Sequence, residues 1–174
     1  MNSILEENKT IAKNIIDLAK GYGAEQVSVS LAKSTSFQVD VRESKIESLQ
    51  ESGSSGIHLT VSKNNRRSTV SSNDFREQTL SPLIRSTMDA LPHMGEDKFY
   101  SLPDPKLQGR APVDLQFLDP DFEEYNSEEK VQIPINLEKL SSKKDQRLKT
   151  EQSFYSDSIS YMVHADSNGF LEGE

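Results

Sequence analysis

The sequence has 174 residues, of which 33% are hydrophobic and 28% are charged, and it contains no cysteine. This length suits one domain, with room for part of a second. The lack of cysteine excludes disulfide bonds, thiolate metal ligands and a cysteine nucleophile. Acidic residues outnumber basic ones by 28 to 20, for a formal net charge of −8. Such a charge repels a phosphate backbone and disfavours direct binding to nucleic acid.

The first 22 residues carry charges throughout and contain no uninterrupted apolar run. They therefore predict neither a signal peptide nor a membrane span. From this pattern we expect a cytoplasmic protein that does not associate with membranes.

The same segment predicts an amphipathic helix. Ser3 and Glu6 fit a capping box, in which each side chain satisfies a backbone donor of the first turn. Gly21 and Gly23 end the helix, because glycine adopts the left-handed cap without a Cβ clash. One stripe of the helix is apolar and consists of Ile4, Ile11, Ile15, Leu18 and Tyr22.

Residues 26–72 alternate between apolar and polar side chains, which is typical of strands with one buried face. The glycines of Gly53-Ser54-Ser55-Gly56 predict a turn, and Lys63-Asn64-Asn65-Arg66 predicts a hairpin turn because Asn tolerates positive φ. Short links of this kind imply an antiparallel sheet. The strands are predicted to centre on residues 27–31, 37–41, 46–49, 57–61 and 68–72.

A second helix is predicted within residues 75–91, and Pro92 stops it. Its first turn lies either near Phe75 or at Ser81-Pro82, since proline is tolerated at the first helical position. The next stretch, 92–126, contains several prolines but also recurring aromatic and apolar residues. These anchors predict an ordered surface connection and not a free linker.

Residues 127–140 give conflicting signals. Ser127, Glu128 and Glu129 favour a helix start, because acidic groups are stabilised near the positive end of the helix dipole. Alternating apolar residues from Val131 onwards are typical of a strand, and Pro134 would remove a helical hydrogen bond. The balance favours a helix.

The end of the chain predicts strands at 150–155 and 159–165, with a turn at 166–169. The residues up to Glu174 predict a returning strand that is cut short. We therefore expect an α+β fold in which two or three helices pack on one face of an antiparallel sheet. The expected domain covers residues 1–148, and residues 149–174 would begin a following β-rich region that is truncated.

Several motifs occur in a characteristic order and spacing. They are Gly21–Glu25, Val27–Ser30, Val39–Arg42, Lys45–Ser52, Ser71–Phe75, Leu102–Pro105 and Ala165–Phe170. In this order they resemble the N-terminal domain of the PmbA/TldD family, which comprises metallopeptidases and modulators of DNA gyrase. The resemblance runs nearly from end to end. The segment 168–173 is more similar to the PmbA (TldE) branch than to the TldD branch.

This resemblance implies a parent protein more than twice as long, with a C-terminal β-rich domain. It implies that zinc binds only to that C-terminal domain in the TldD branch, through a His-Glu-x-x-x-His motif, so that this chain itself holds no cofactor. It also implies a homologous PmbA/TldD-family subunit as partner, and an intracellular assembly that processes extended peptides. A PmbA-branch chain would act as the companion subunit.

No catalytic or metal-binding residue is predicted within this chain. Its histidines, His58, His93 and His164, are far apart in sequence, whereas zinc ligands commonly lie one helical turn apart. His58 and His164 alternate with apolar neighbours, which places them on the polar side of their strands. The many serines lack a Gly-x-Ser-x-Gly elbow. The chain alone is therefore predicted to be inactive as a peptidase.

One feature predicts a binding role. The predicted strands at 57–61 and 68–72 could expose an edge that takes up an extended peptide or a partner by strand addition. The candidate residues are Ile57, Leu59, Val61, Ser68 and Val70. A sheet simply covered by helices is the alternative. The leading hypothesis is a non-catalytic module that contributes to subunit assembly and to a peptide channel, and its rival is a stand-alone binding or regulatory module without a proteolytic role.

Overall fold

The computed structural model describes residues 2–109, 113, 115–122, 124–145 and 147–174. Five strands form one antiparallel sheet in the order β3-β2-β1-β4-β5. Within the described residues there are three α-helices, so the α+β class predicted from the sequence is confirmed. In chain order the elements are α1 (Asn2–Gly21), β1 (Gln26–Arg42), β2 (Lys45–Lys63), β3 (Arg66–Ser72), α2 (Glu77–Ala90), α3 (Ser127–Lys144), β4 (Ser153–Asp166) and β5 (Leu171–Gly173).

The chain divides into two compact units. The first comprises the described residues of 1–34, 54–111 and 160–174, and it contains α1, α2 and β3. Its core combines apolar residues of these helices with the alternate residues of the strands that face them. The buried members include Ala12, Ile15, Ala19, Val27, Val29, Leu31, Ile57, Leu59, Val61, Leu80, Ile84, Met88 and Val163.

The second unit comprises the described residues of 35–53 and 112–159, and α3 lies within it. Its smaller core joins Val131 and Ile135, one helical turn apart, to the inward residues of β1. Those strand residues are Phe37, Val39 and Val41.

The conflict at residues 127–140 is resolved as a helix. Asn126 and Glu129 form a capping box, with Oδ1 of Asn126 accepting from the Glu129 N–H at 3.0 Å and Oε2 of Glu129 accepting from the Asn126 N–H at 2.9 Å. Pro134 lies inside the helix and is fully buried. Proline removes the hydrogen bond to the carbonyl four residues earlier, but the capping box and the buried face outweigh that loss.

The strands are longer than predicted. The predicted strands 27–31 and 37–41 merge into β1. Residues 153–155 of the strand predicted at 150–155 merge with 159–165 into β4, and residues 150–152 lie outside it. The predicted turn Gly53-Ser54-Ser55-Gly56 is wrong, because these residues lie within β2. Serine hydroxyls pair across the strands there, with Ser34 and Ser54 at 2.7 Å. The turn between β1 and β2 is instead Glu43-Ser44, both with positive φ.

The predicted start of α1 is wrong, and of the two starts predicted for α2 the one near Phe75 is confirmed. Ser3 already lies inside α1, and Glu6 accepts a hydrogen bond from Lys9 instead of capping the helix. Pro82 lies inside α2, which begins at Glu77. An Asp74-centred turn precedes that helix, and Asp74 accepts hydrogen bonds from Arg76 and Thr79.

The predicted boundary between residues 148 and 149 divides the sheet. Strand β4 lies directly beside β1, and β5 pairs with β4 as the returning strand of a hairpin whose turn follows Asp166. Residues 153–173 therefore belong to the same sheet as the strands before them. Along the part of the chain that the structure describes, no helix combines the length and apolarity needed to cross a membrane.

Candidate functional site

The hairpin of β2 and β3 fixes which main-chain groups form the edge of the sheet. Asn64 and Asn65 have φ of 52° and 57°, and Lys63 pairs with Arg66 across them. In a two-residue hairpin of this type the closing pair exchanges both of its hydrogen bonds, and hydrogen-bonded pairs then recur at every second position. On β3, the N–H and C=O groups of the residues between these pairs point away from β2, towards the outer edge of the sheet.

This register corrects the predicted edge. Val61 pairs with Ser68, and Leu59 pairs with Val70. Both pairs fall on hydrogen-bonded positions, so their main-chain groups are already used between β2 and β3. Moreover, β2 is an inner strand, and the side chains of Ile57, Leu59 and Val61 belong to the core. The five predicted residues are brought together in one ladder, but they do not form its open side.

The residues that do point outward from β3 are Arg67, Thr69 and Ser71. Strand β3 is the outermost strand of the sheet. Arg67 lies next to an isolated bridge between Arg66 and Glu96. The open stretch therefore consists of the main chain at Thr69 and Ser71. The sequence contained the signal for this register, because the Asn64-Asn65 turn sets the parity of all later pairs.

The side chains of the open stretch lie on the exposed face of the sheet. Thr69 Oγ1 lies 2.9 Å from Thr60 Oγ1, and Ser71 Oγ lies 2.9 Å from His58 Nδ1. Both pairs occupy the non-hydrogen-bonded positions, where the side chains of an antiparallel pair approach each other most closely. The edge is thus bordered by hydroxyl and imidazole groups.

The start of β3 is held in place by charged contacts. Arg66 donates to the Pro92 carbonyl at 2.6 Å and forms an ion pair with Glu96 at 3.1 Å. The guanidinium of Arg67 lies 4.8 Å from the centre of the Tyr100 ring, a cation–π contact. Burial raises the pKa of Tyr100, and Arg67 partly offsets this effect.

The end of β3 is held by Asp74. The Ser72 hydroxyl accepts from the Asp74 N–H at 3.0 Å, and the Asp74 carboxylate in turn accepts from Thr79 at 2.8 Å. Hydrogen bonds from Arg76 hold the pKa of Asp74 well below its usual range. These contacts connect the edge strand to the start of α2.

The histidines do not form a metal site. His58 lies on β2 and His164 on β4, and β1 separates these strands, so the two positions are about 9–10 Å apart. Each bonds a serine instead, with His164 Nδ1 at 2.8 Å from Ser30 Oγ. His93 lies in a short 3-10 helix. Nowhere in the described residues do three His, Asp or Glu side chains converge as ligands.

Sequence comparison identifies the domain. Residues 27–91 match the family model for domain 1 of the PmbA/TldA metallopeptidases. Over these residues the chain is similar to the PmbA/TldD family. It is 27% identical over 161 residues to the metalloprotease PmbA homolog of Buchnera aphidicola, covering 92% of this chain and 35% of that protein. It is 25% identical to the metalloprotease PmbA of Escherichia coli O157:H7, covering 98% of this chain and 37% of the relative.

The fold agrees with this assignment. A crystal structure from Bacteroides thetaiotaomicron, described as a candidate modulator of DNA gyrase, superposes with a TM-score of 0.82 at 25% identity. The match covers 97% of this chain and 38% of that one. The chain thus spans little more than a third of the length of the relatives it matches.

Proposed function

We propose that the chain is a non-catalytic module of a PmbA/TldD-type metallopeptidase and that its β3 edge takes up an extended polypeptide. The observation that carries this proposal is the outward main chain of Thr69 and Ser71. An extended peptide that adds a strand at this edge would pair with both residues, and the main-chain hydrogen bonds would supply affinity.

The surroundings of the edge suit such a ligand. Side chains of an added strand alternate between the two faces of the sheet. On the exposed face they would meet the hydroxyl and imidazole groups of Thr69 and Ser71 with their partners Thr60 and His58. These groups both donate and accept hydrogen bonds, so they tolerate varied peptide sequences.

The module would act within a larger assembly. In our proposal it contributes to subunit assembly and to the peptide channel, its partner is a homologous PmbA/TldD-family subunit, and zinc is supplied by the C-terminal domain of a catalytic-branch subunit. The negative charge of the chain supports a role without direct contact to nucleic acid. The proposed location is the cytoplasm.

Thr69 offers a matched pair of variants for testing the proposal. Thr69→Pro removes the outward N–H, whereas Thr69→Val removes the hydroxyl that contacts Thr60 but keeps the N–H. The test measures cleavage of an unstructured peptide by an assembly of the protein that contains this chain with a PmbA/TldD-family subunit. Because the lost contact holds substrate and transition state alike, Thr69→Pro should raise KM about tenfold and leave kcat unchanged.

Thr69→Val should raise KM much less than Thr69→Pro does, because it keeps the main-chain N–H that pairs with the peptide. Equal KM values for Thr69→Pro and Thr69→Val would contradict the edge as a peptide site. The chain could also bind a partner protein without affecting peptide cleavage. That result would favour the rival hypothesis, a stand-alone binding or regulatory module.

A further inference from the structure

Helix α3 has an apolar stripe on its outer side. Ile133, Leu137 and Leu140 are 41%, 54% and 62% exposed, respectively. Steps of four and three residues place side chains on the same side of a helix, so the three residues form one continuous stripe. We call it the α3 stripe. Apolar residues at these steps are also the pattern by which two helices pack against each other.

The opposite side of α3 is fixed to the sheet of the second compact unit. Val131 and Ile135 belong to the core of that unit, and the Ser153 hydroxyl donates to the Pro134 carbonyl at 2.9 Å. Turning the helix to bury the α3 stripe would break these contacts and empty the core. The stripe is therefore held facing away from the sheet.

The first turns of α3 are held by what we call the Lys130 cluster. Nζ of Lys130 lies 2.6 Å from Oδ2 of Asp157, an ion pair. The same Nζ lies 4.7 Å from the centre of the Phe122 ring and 5.5 Å from that of Phe37. Because breaking a buried ion pair leaves an uncompensated charge, the helix cannot rotate at this end without a large cost.

The charges of α3 have opposite signs at its two ends. Glu128 and Glu129 lie in the first turn, and Lys143 and Lys144 lie in the last turn. Together with Lys139, the exposed charges of the helix are two acidic and three basic groups, whereas the whole chain has a formal net charge of −8. A second acidic chain therefore meets less repulsion at α3 than over the average of the surface.

The pattern of α3 is self-complementary. Ile133 and Leu140 lie equally far from a point just before Leu137, at the middle of the helix. In an antiparallel pair with a two-fold axis at this point, Ile133 is level with Leu140 of the second copy. The same axis places Glu129 of one copy level with Lys144 of the other. A parallel pair would instead place like charges side by side.

We propose that α3 pairs antiparallel with α3 of a second copy of this chain. The two stripes cover each other, and the acidic first turn of each helix lies beside the basic last turn of the other. The inference gives the proposed subunit assembly a defined surface and rests on that part of the proposed function. Helix α3 has 18 residues and is about 27 Å long. Two helices of this length form a small interface, so the pairing should be weak and depend on concentration.

Cysteine cross-linking tests the pairing on the whole chain, which has no cysteine of its own. Leu137→Cys lies next to the proposed axis, so two copies should link when they are oxidised. Ile133→Cys should not link to itself, because the two positions are about 10 Å apart along the paired helices. A mixture of Ile133→Cys and Leu140→Cys chains should link. Leu49→Cys, at a similarly exposed leucine of β2, is the matched control in non-reducing electrophoresis.

The cross-linking has two results that would contradict the proposal. Equal linking of Leu137→Cys and Leu49→Cys would refute the pairing, because random collisions would then account for both. Self-linking of Ile133→Cys at the level of Leu137→Cys would contradict the antiparallel arrangement.

Sedimentation equilibrium measures the pairing without a covalent bond. Leu137→Gln combined with Leu140→Gln should weaken pairing about a hundredfold, because the change removes four half-exposed leucines from the two helices. Leu49→Gln should pair as the unaltered chain does. Glutamine is a good helix former, so circular dichroism should show unchanged helix content in the double variant.

These variants also separate the pairing from the edge proposal. If the double glutamine variant pairs normally but Thr69→Pro impairs peptide cleavage, the pairing is refuted and the edge proposal stands alone. If the double variant loses pairing but Thr69→Pro has no effect on cleavage, the pairing stands and the edge proposal fails. The unaltered chain could also stay monomeric while the double variant loses binding to a homologous PmbA/TldD-family subunit. That result would overturn the second copy as the partner.

Discussion

The carboxylate of Glu138 accepts a hydrogen bond of 2.9 Å from the backbone N–H of Glu43. The second oxygen of the same carboxylate accepts from the N–H of Ser44. Glu138 belongs to α3 and is 6% exposed, and Glu43 and Ser44 form the turn between β1 and β2. A single buried side chain thus holds a turn in which two non-glycine residues have positive φ.

Replacing Glu138 should therefore destabilise the second unit. Glu138→Gln keeps the shape but places an NH₂ group against a backbone N–H, which leaves a buried donor unpaired. We expect the free energy of unfolding to fall by about 1–3 kcal/mol. Urea denaturation measures it, with Glu128→Gln on the exposed side of α3 as the control. Equal losses in the two variants would mean that the clamp on the turn contributes nothing.

A glycine in this turn should stabilise the protein. Ser44 has a φ of 59°, a region that glycine adopts without steric cost. Ser44→Gly should raise the free energy of unfolding by about 0.5–1 kcal/mol, because the relief of strain exceeds the added chain entropy. Ser160→Gly, inside β4, should lower the free energy of unfolding. Thermal unfolding measures both variants. A loss of stability in both variants would contradict the strained turn.

The sequence predicted the order of the elements and the buried faces more reliably than the turns. Alternation along Val27–Leu31 and Phe37–Val41 identified the core side of β1, because side-chain burial follows the period of the strand. The glycines at 53 and 56 predicted a turn that the structure does not have, because serine pairing across β1 and β2 allows the strand to continue through them. Glu43-Ser44 carries no glycine or asparagine, and Glu138, 94 residues later, holds its conformation.

The candidate site shows the same limit. The sequence located the β2–β3 ladder but assigned the open side to the residues that pair inward. Counting from the Asn64-Asn65 turn would have placed the outward groups at Thr69 and Ser71. The Lys130 cluster could not be found this way, because it joins side chains from β1, β4, α3 and residue 122 that share no sequence pattern.

Replacing a buried asparagine of α1 with an apolar residue should stabilise the protein. Asn8 is fully buried, and neither its amide nitrogen nor its oxygen has a hydrogen-bond partner among the described residues. Leucine has the same branched shape without polar atoms, so Asn8→Leu should raise the free energy of unfolding by about 1–3 kcal/mol. The control is Asn14→Leu at an exposed position of the same helix. If Asn8→Leu were the less stable of the two, the amide would have to be satisfied in solution, for example by water.

Tyr155 should make stability depend on alkaline pH. Its folded pKa of about 12 lies above the ordinary value of 10.0. Between these values the folded protein keeps a proton that the unfolded chain releases, so this contribution is complete below pH 10 and is lost as pH rises towards 12. Urea unfolding at pH 9 and pH 11 should show a smaller decline for Tyr155→Phe than for the unaltered chain. An identical decline would show that Tyr155 titrates normally.

Hydrogen exchange at β3 tests the central claim most directly. In the free chain, the outward amides of Thr69 and Ser71 should exchange quickly, while the inward amides of Ser68 and Val70 should be protected by β2. Adding an unstructured peptide should slow exchange at Thr69 and Ser71 and leave Ser68 and Val70 unchanged. If the peptide bound without slowing either outward amide, strand addition at this edge would be contradicted.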